Sequence, residues 1–200
     1  YELLWTFALD PMPTLVYEAG GVKLRKPITA YLGENTTVIL YEVLEAPASF
    51  TLELRPLIAY RDYHALQREN GSLRFANASF ADGVFRARPY DSTPELFLQA
   101  AGCSFSAKPD WYFGFEYAKE QERGLDAHED LFCYGAFHRQ LAKADSFGVI
   151  VSTGEVAGRD PLALVAKERA RRKAVASAVA GNDDTVRTLT LAADAFVVRR

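Results

Sequence analysis

The run Thr36 to Leu44, TTVILYEVL, constrains this chain more than any other stretch. It is β-branched and apolar on both faces, as a central strand covered from both sides must be. Its surroundings are β as well. Thr14 to Glu18 and Val22 to Lys26 are short runs separated by Gly20-Gly21, which reads as a hairpin because glycine supplies the positive φ of a tight turn. Gly33-Glu34-Asn35 marks the next turn. From Ser49 to Arg55 the pattern alternates, with Phe50, Leu52 and Leu54 on one face and Thr51, Glu53 and Arg55 on the other. One face is core and the other is wet. Pro56 then predicts a strand end or a sheet edge.

Further along, Leu57 to Asn70 loosens into a turn or short helix ending at Gly71, and carries the polar-aromatic cluster Tyr60, Arg61, Asp62, Tyr63 and His64. An isolated histidine such as His64 reads first as a hydrogen-bonded surface residue. Val84 to Arg88 and Glu95 to Ala101 are predicted strands joined through Pro89 to Pro94, with Arg86 and Arg88 on a solvated face. Leu131 to Leu141 and Phe147 to Ser152 are strand-like again. Past Gly158 the character changes. Asp160-Pro161 predicts a helix start, the aspartate accepting from orphan amides and the proline fitting the first turn, with the helix running towards Val179 and stopped by Gly181. Lys167, Arg169, Arg171, Arg172 and Lys173 around Glu168 make it basic, as a solvated face or a contact with an acidic neighbour would. Asn182-Asp183-Asp184 caps a last segment, Thr185 to Val198, whose Leu189, Ala192, Ala193 and Phe196 recur at helical spacing. It stays apolar almost to Arg199-Arg200, as if severed from a partner domain, and an opening at Tyr1 rather than methionine also reads as a fragment. On pattern and spacing alone the expected fold is a β-rich domain followed by helices past Gly158.

Composition sets limits on partners. With 49% hydrophobic and 24% charged residues the chain has the make-up of an ordinary globular protein. A net charge of -3 gives phosphates no basic surface, so no nucleic-acid partner is expected. No apolar run approaches the ~18 residues a membrane helix needs and no signal peptide is read, so no membrane partner is expected; a cytoplasmic location is expected from the cysteines. Cys103 and Cys133 are too few for a disulfide framework and read as reduced thiols. Asn35-Thr36-Thr37 and Asn77-Ala78-Ser79 match the glycosylation pattern, which has meaning only in a secreted protein.

Function points to Trp111 to Phe132, WYFGFEYAKEQERGLDAHEDLF. Glu116, Glu120, Glu122, Asp126, Glu129 and Asp130 stand there with Arg123, beside Trp111, Tyr112, Phe115 and Tyr117. Between sheet-like runs this reads as a long loop or short helix laid across a sheet. Flat rings stack on sugar faces while carboxylates and arginine bind hydroxyls, so a carbohydrate site is one reading. A capped amphipathic helix closing a sandwich is the other. Catalytic signatures are thin. His128-Glu129 lacks a second histidine one turn on, no Cys/His set has metal-ligand spacing, no serine sits in a G-x-S-x-G elbow, and no glycine-rich loop cradles phosphate. Neither a metal nor a cofactor is expected. Glycoside hydrolysis needs two facing carboxylates, and spacing alone pairs none of these.

Separated blocks, in order, carry a family resemblance. They are Gly33-Glu34-Asn35-Thr36-Thr37 leading into Val38 to Leu44, Leu52-Glu53-Leu54-Arg55-Pro56-Leu57, Tyr60 to His64, Arg88-Pro89-Tyr90 and Asp110-Trp111-Tyr112. Most specific are Phe115-Glu116-Tyr117, Glu120, Glu122-Arg123-Gly124-Leu125-Asp126 and Glu129-Asp130-Leu131; Ala193 to Arg200 closes the series. With these the chain resembles the N-terminal domain of the bacterial and archaeal glycogen debranching enzymes, the amylo-α-1,6-glucosidase family. One departure is Cys133-Tyr134 before Gly135, where that pattern carries a proline next to the glycine.

The resemblance implies a mostly β fold, a two-sheet β-supersandwich over residues 1–158 that lacks its earliest strands, with C-terminal helices over 159–200 as a linker; the sandwich packs on an (α/α) barrel beginning just past Arg200. Hydrolysis of α-1,6 branch points in glycogen-like glucans belongs to that barrel, so no catalytic residue is expected in this chain. The implied partners are glycogen or α-glucan oligosaccharides and the barrel of the same polypeptide. For glucan contact the candidates are Trp111, Tyr112 and Tyr117 for stacking, with Glu120, Arg123, Asp126 and Glu129 for polar contacts. Two rivals stay open. A structural wedge between domains would have those side chains tied up inside the protein. A mutarotase-like epimerase would need His64, His128 or His138 to converge with a carboxylate on one sugar.

Overall fold

The computed structural model describes residues 2–9, 11–62, 65–178 and 183–197. The chain is mostly β, with two antiparallel sheets and few helices near its C-terminal end. It divides into two compact units, Tyr1–Ser49 with Leu141–Arg200, and Phe50–Gln140.

In the first unit the strands β1 (Leu4–Ala8), β2 (Thr14–Ala19), β3 (Val22–Ala30), β4 (Thr36–Glu45) and β11 (Ser146–Ser152) lie side by side in that order. β2 and β3 form the hairpin that Gly20-Gly21 predicts, both glycines at positive φ (57° and 77°) and Ala19 paired with Val22. β4 is buried or half-buried along nearly its whole length between β3 and β11, as a double-faced apolar run requires. Val38, Leu40, Tyr41 and Val43 enter the core, and Tyr41 stacks on Phe147 at 5.1 Å between centroids. The helix α2 (Pro161–Ser177) packs on β4 and β11. Its first residue reaches the sheet because Gly148 carries no side chain: a Cβ there would stand 2.5 Å from Pro161 and 2.7 Å from Leu40. Asp160 caps it, accepting from Leu162 N at 2.9 Å, and Asp183 caps α3 (Asp184–Ala195) from Thr185 N at 2.8 Å. Gly181, the predicted stop, and the end of the last predicted segment at Val198 to Arg200 lie outside the described residues.

The basic stretch of α2 is turned inward in part. Glu168 is buried, and Arg171 and Arg172 both bind it, at 2.8 and 3.1 Å. Arg171 also holds Asp194 of α3 at 2.7 Å, and Arg172 donates to the Pro11 carbonyl at 3.2 Å. The acidic neighbour that the composition calls for is thus part of this chain.

The second unit is a two-layer sandwich. One layer is β8 (Leu96–Gln99), β7 (Val84–Ala87) and β6 (Ser79–Ala81). The other is β5 (Phe50–Leu54), β10 (His128–Leu141) and β9 (Ser104–Glu116), with β10 in the middle. Phe80 and Phe85 from the first layer meet Phe105, Tyr134 and Phe137 from the second, at 5.1 to 6.1 Å between centroids. Offset and edge-on aromatic pairs of this kind add to plain area burial. β5 alternates as predicted, Phe50, Leu52 and Leu54 half-buried and Thr51 and Glu53 exposed, and lies at the edge that Pro56 signals. Arg86 is half-buried rather than solvated, its guanidinium 5.7 Å from the Phe97 ring centre.

Two expectations are corrected. Leu57 to Asn70 forms no helix among its described residues; it runs as irregular chain beside β10, bonded through Ile58 to Phe132 and through the Gln67 carbonyl to Asp130 N. Trp111 to Phe132 is not a loop laid over a sheet. It is the far end of the β9–β10 hairpin, closed by α1 (Ala118–Glu122), a single short turn of helix. An edge strand exposed on most of its residues has little apolar alternation to reveal it, which is why β9 reads as loop.

Candidate functional site at the hairpin end

Four elements converge where the hairpin ends. Phe115 faces Glu129 and Glu116 faces His128 across the ladder, α1 turns the chain, and the 57–70 segment lies alongside β10. A register slip between Glu129 and Leu131 lets consecutive carboxylates serve different partners.

Glu129 is fully buried. Its two oxygens accept from Arg61 Nε at 2.7 Å and Arg61 Nη2 at 2.8 Å, a paired geometry that suits guanidinium to carboxylate. The Tyr117 hydroxyl donates to it at 2.6 Å and the Gln67 amide at 3.0 Å. With Arg61 first among the causes, these donors outweigh desolvation and pull the Glu129 carboxyl down to about 2. The same bond raises the Tyr117 hydroxyl above its ordinary value. Asp130 accepts from Gly114 N at 3.0 Å and Glu69 N at 3.1 Å, bridging β9 to the irregular segment, and these bonds lower its carboxyl. Gln67 extends the network to the Tyr90 hydroxyl at 2.7 Å, which Asn70 also reaches at 3.1 Å. The result is a fixed polar hub that holds the irregular segment against the hairpin.

The candidate residues divide into three groups. Glu129 and Tyr117 belong to the hub and face inward. Trp111 and Tyr112 lie on β9 itself: Trp111 is half-buried, edge-on to Phe132 at 5.3 Å, while the Tyr112 hydroxyl accepts from Arg55 at 3.0 Å. Glu120, Arg123 and Asp126 stand at the tip. Arg123 is exposed and 3.3 Å from half-buried Glu120, and exposed Asp126 lies 3.9 Å from Arg68. Exposed Phe113 and Leu125 give this end an apolar surface as well. The geometry therefore does not gather the seven around one ligand; it ties two into the hub, one buried and one half-buried, places two along a strand and presents three.

Arg61, Gln67 and Asp130 were missed as site residues. Arg61 and Asp130 carry a signal, since the Tyr60 to His64 block and the Glu129-Asp130 pair belong to the same series of resembling blocks; Gln67 lies in none of them. The separation of 68 residues between Arg61 and Glu129 hides the pairing. Tyr63 and His64 lie outside the described residues. His128 opens β10 and His138 lies ten positions further along it, about 30 Å away on a strand. They do not converge on one sugar.

Antiparallel layers followed by helices, with a rigid polar hub at one hairpin end, define a β-sandwich domain class. Residues 1–148 of the 200 match the family described as glycogen debranching enzyme N terminal, and the chain belongs to that family. No curated protein matches it. Among the described residues no helix is long and apolar enough to cross a membrane.

Proposed function

We propose that this chain is a non-catalytic accessory domain of a debranching enzyme that hydrolyses α-1,6 branch points in glycogen-like glucans, and that the end of its β9–β10 hairpin helps shape the glucan groove. One observation supports this above the rest: the Arg61–Glu129–Tyr117 hub and the Asp130 bridges immobilise the hairpin end, while Glu120, Arg123, Asp126, Phe113 and Leu125 are left at its surface. Contacts presented from a backbone ordered in this way bind at a lower ordering cost. Residues 159–200 then lead towards the catalytic barrel of the same polypeptide. No metal or cofactor enters this reading.

The rival, a structural wedge, draws on the internal pairing of Glu129 and Tyr117. Titration of the chain with maltooligosaccharides and glycogen, followed by tryptophan fluorescence, separates the two. Saturable binding that weakens about tenfold in a Glu120→Ala/Arg123→Ala variant is the expected result. No binding at millimolar sugar would leave the exposed Phe113 and Leu125 as a contact for the barrel instead.

A further inference from the structure

The face of the β5–β10–β9 layer turned away from the aromatic core carries a second constellation. Ser106 Oγ lies 2.9 Å from His138 Nε2, and His138 Nδ1 stands 3.8 Å from Glu53 Oε2. The other oxygen of Glu53 accepts from Arg55 Nε at 2.6 Å, and Arg55 Nη1 donates to the Tyr112 hydroxyl at 3.0 Å. Five polar side chains, four on the three neighbouring strands and Arg55 just past the end of β5, thus lie in one row, hydrogen-bonded at all but the 3.8 Å approach of His138 to Glu53. Strands stand about 4.8 Å apart, so the row crosses about 10 Å of sheet.

The order serine, histidine, carboxylate is that of a nucleophile with its base. Acyl transfer also needs a water-excluded site with donors aimed at the developing oxyanion. Ser106 is exposed on an open sheet face, which supplies no such enclosure. Binding is what this arrangement suits. The side chains of Arg55, Glu53 and His138 are 49%, 41% and 31% exposed, so they are ordered by one another yet open to a ligand. A carboxylate oxygen has two lone-pair sites and a guanidinium five N–H donors, so neither Glu53 nor Arg55 is saturated by these bonds. One carboxylate balances one guanidinium, which favours a neutral ligand over an ion. Sugar hydroxyls both donate and accept, and a phenol ring beside the row offers a flat apolar edge.

We propose that this face is a second binding surface for an α-glucan chain, separate from the hairpin tip at residues 118–127, with Glu53, Arg55, His138 and Tyr112 as its contacts. The identity of the ligand rests on the proposed function; the position of the surface does not. On a polymeric substrate a second weak site raises effective concentration at the first without any new contact there.

The test is a titration of the ¹⁵N-labelled chain with maltoheptaose, read residue by residue, in wild type and in Arg55→Ala and His138→Ala, with circular dichroism as the check on folding. Expected are saturable shifts at Ser106, Tyr112 and His138, with an affinity at those positions at least tenfold weaker in both variants. Shifts confined to residues 118–127, equal in wild type and variants, would overturn the proposal and leave the hairpin-end reading standing. Absence of shifts anywhere at millimolar sugar would remove both. Should either alanine variant fail to fold, the wild-type shift map alone decides between these outcomes.

Discussion

Replacing Glu129 by glutamine keeps the shape of the hub and removes its charge. The carboxyl is fully buried and held at about 2 against an ordinary 4.5 by Arg61, Tyr117 and the Gln67 amide. That depression corresponds to about 3 kcal/mol of stability at neutral pH. Because the folded value is depressed, this contribution is complete above about pH 5 and fades as the pH falls through 4.5 towards 2. At pH 3 about 1 kcal/mol of it remains. Arg61 is partly open to water, so it can resolvate, and Glu129→Gln should cost about 2 to 3 kcal/mol at pH 7. Urea unfolding of wild type and variant at pH 7 and pH 3 measures this. Carboxylates common to both proteins cancel in the difference, so the gap should narrow by about 2 kcal/mol between the two pH values. A gap below about 1 kcal/mol at pH 7, or one that does not change with pH, would refute the electrostatic account of the hub.

In the first unit, Glu168→Ala leaves Arg171 and Arg172 without their shared buried partner and should destabilise by about 3 kcal/mol, seen as a lower thermal midpoint. Arg171 keeps Asp194 at 2.7 Å, so α2 and α3 should retain helical circular dichroism at low temperature. Gly148→Ala drives a methyl group against Pro161 and Leu40, and should cost about 1 to 3 kcal/mol by overpacking in chemical denaturation. An alanine tolerated there without loss would mean that α2 approaches the sheet less closely than its contacts show.

Much of the frame was legible along the chain because its causes are local. Two glycines in succession set the β2–β3 turn, alternation from Phe50 to Leu54 sets the buried face of β5, and Asp160-Pro161 and Asp183 set the first turns of two helices. Each depends on residues within a few positions of one another. β9 was illegible for the opposite reason: as an exposed edge it needs no buried face, and its place is fixed by pairing with β10.

The acidic and aromatic stretch could be singled out from its composition, but the role of each side chain could not. Glu129 and Glu120 look alike in sequence, and one is buried against Arg61 while the other stands at the tip. What separates them is a hairpin that brings β10 beside a segment 62 residues earlier, through the Gln67 amide on Glu129. Family membership, the β2–β3 hairpin, the buried face of β5 and the helix starts thus follow from local pattern and motif. Which carboxylates are buried and which presented depends on long-range pairing. Burial and hydrogen-bond partners are properties of the packed fold, and no spacing along the chain encodes them.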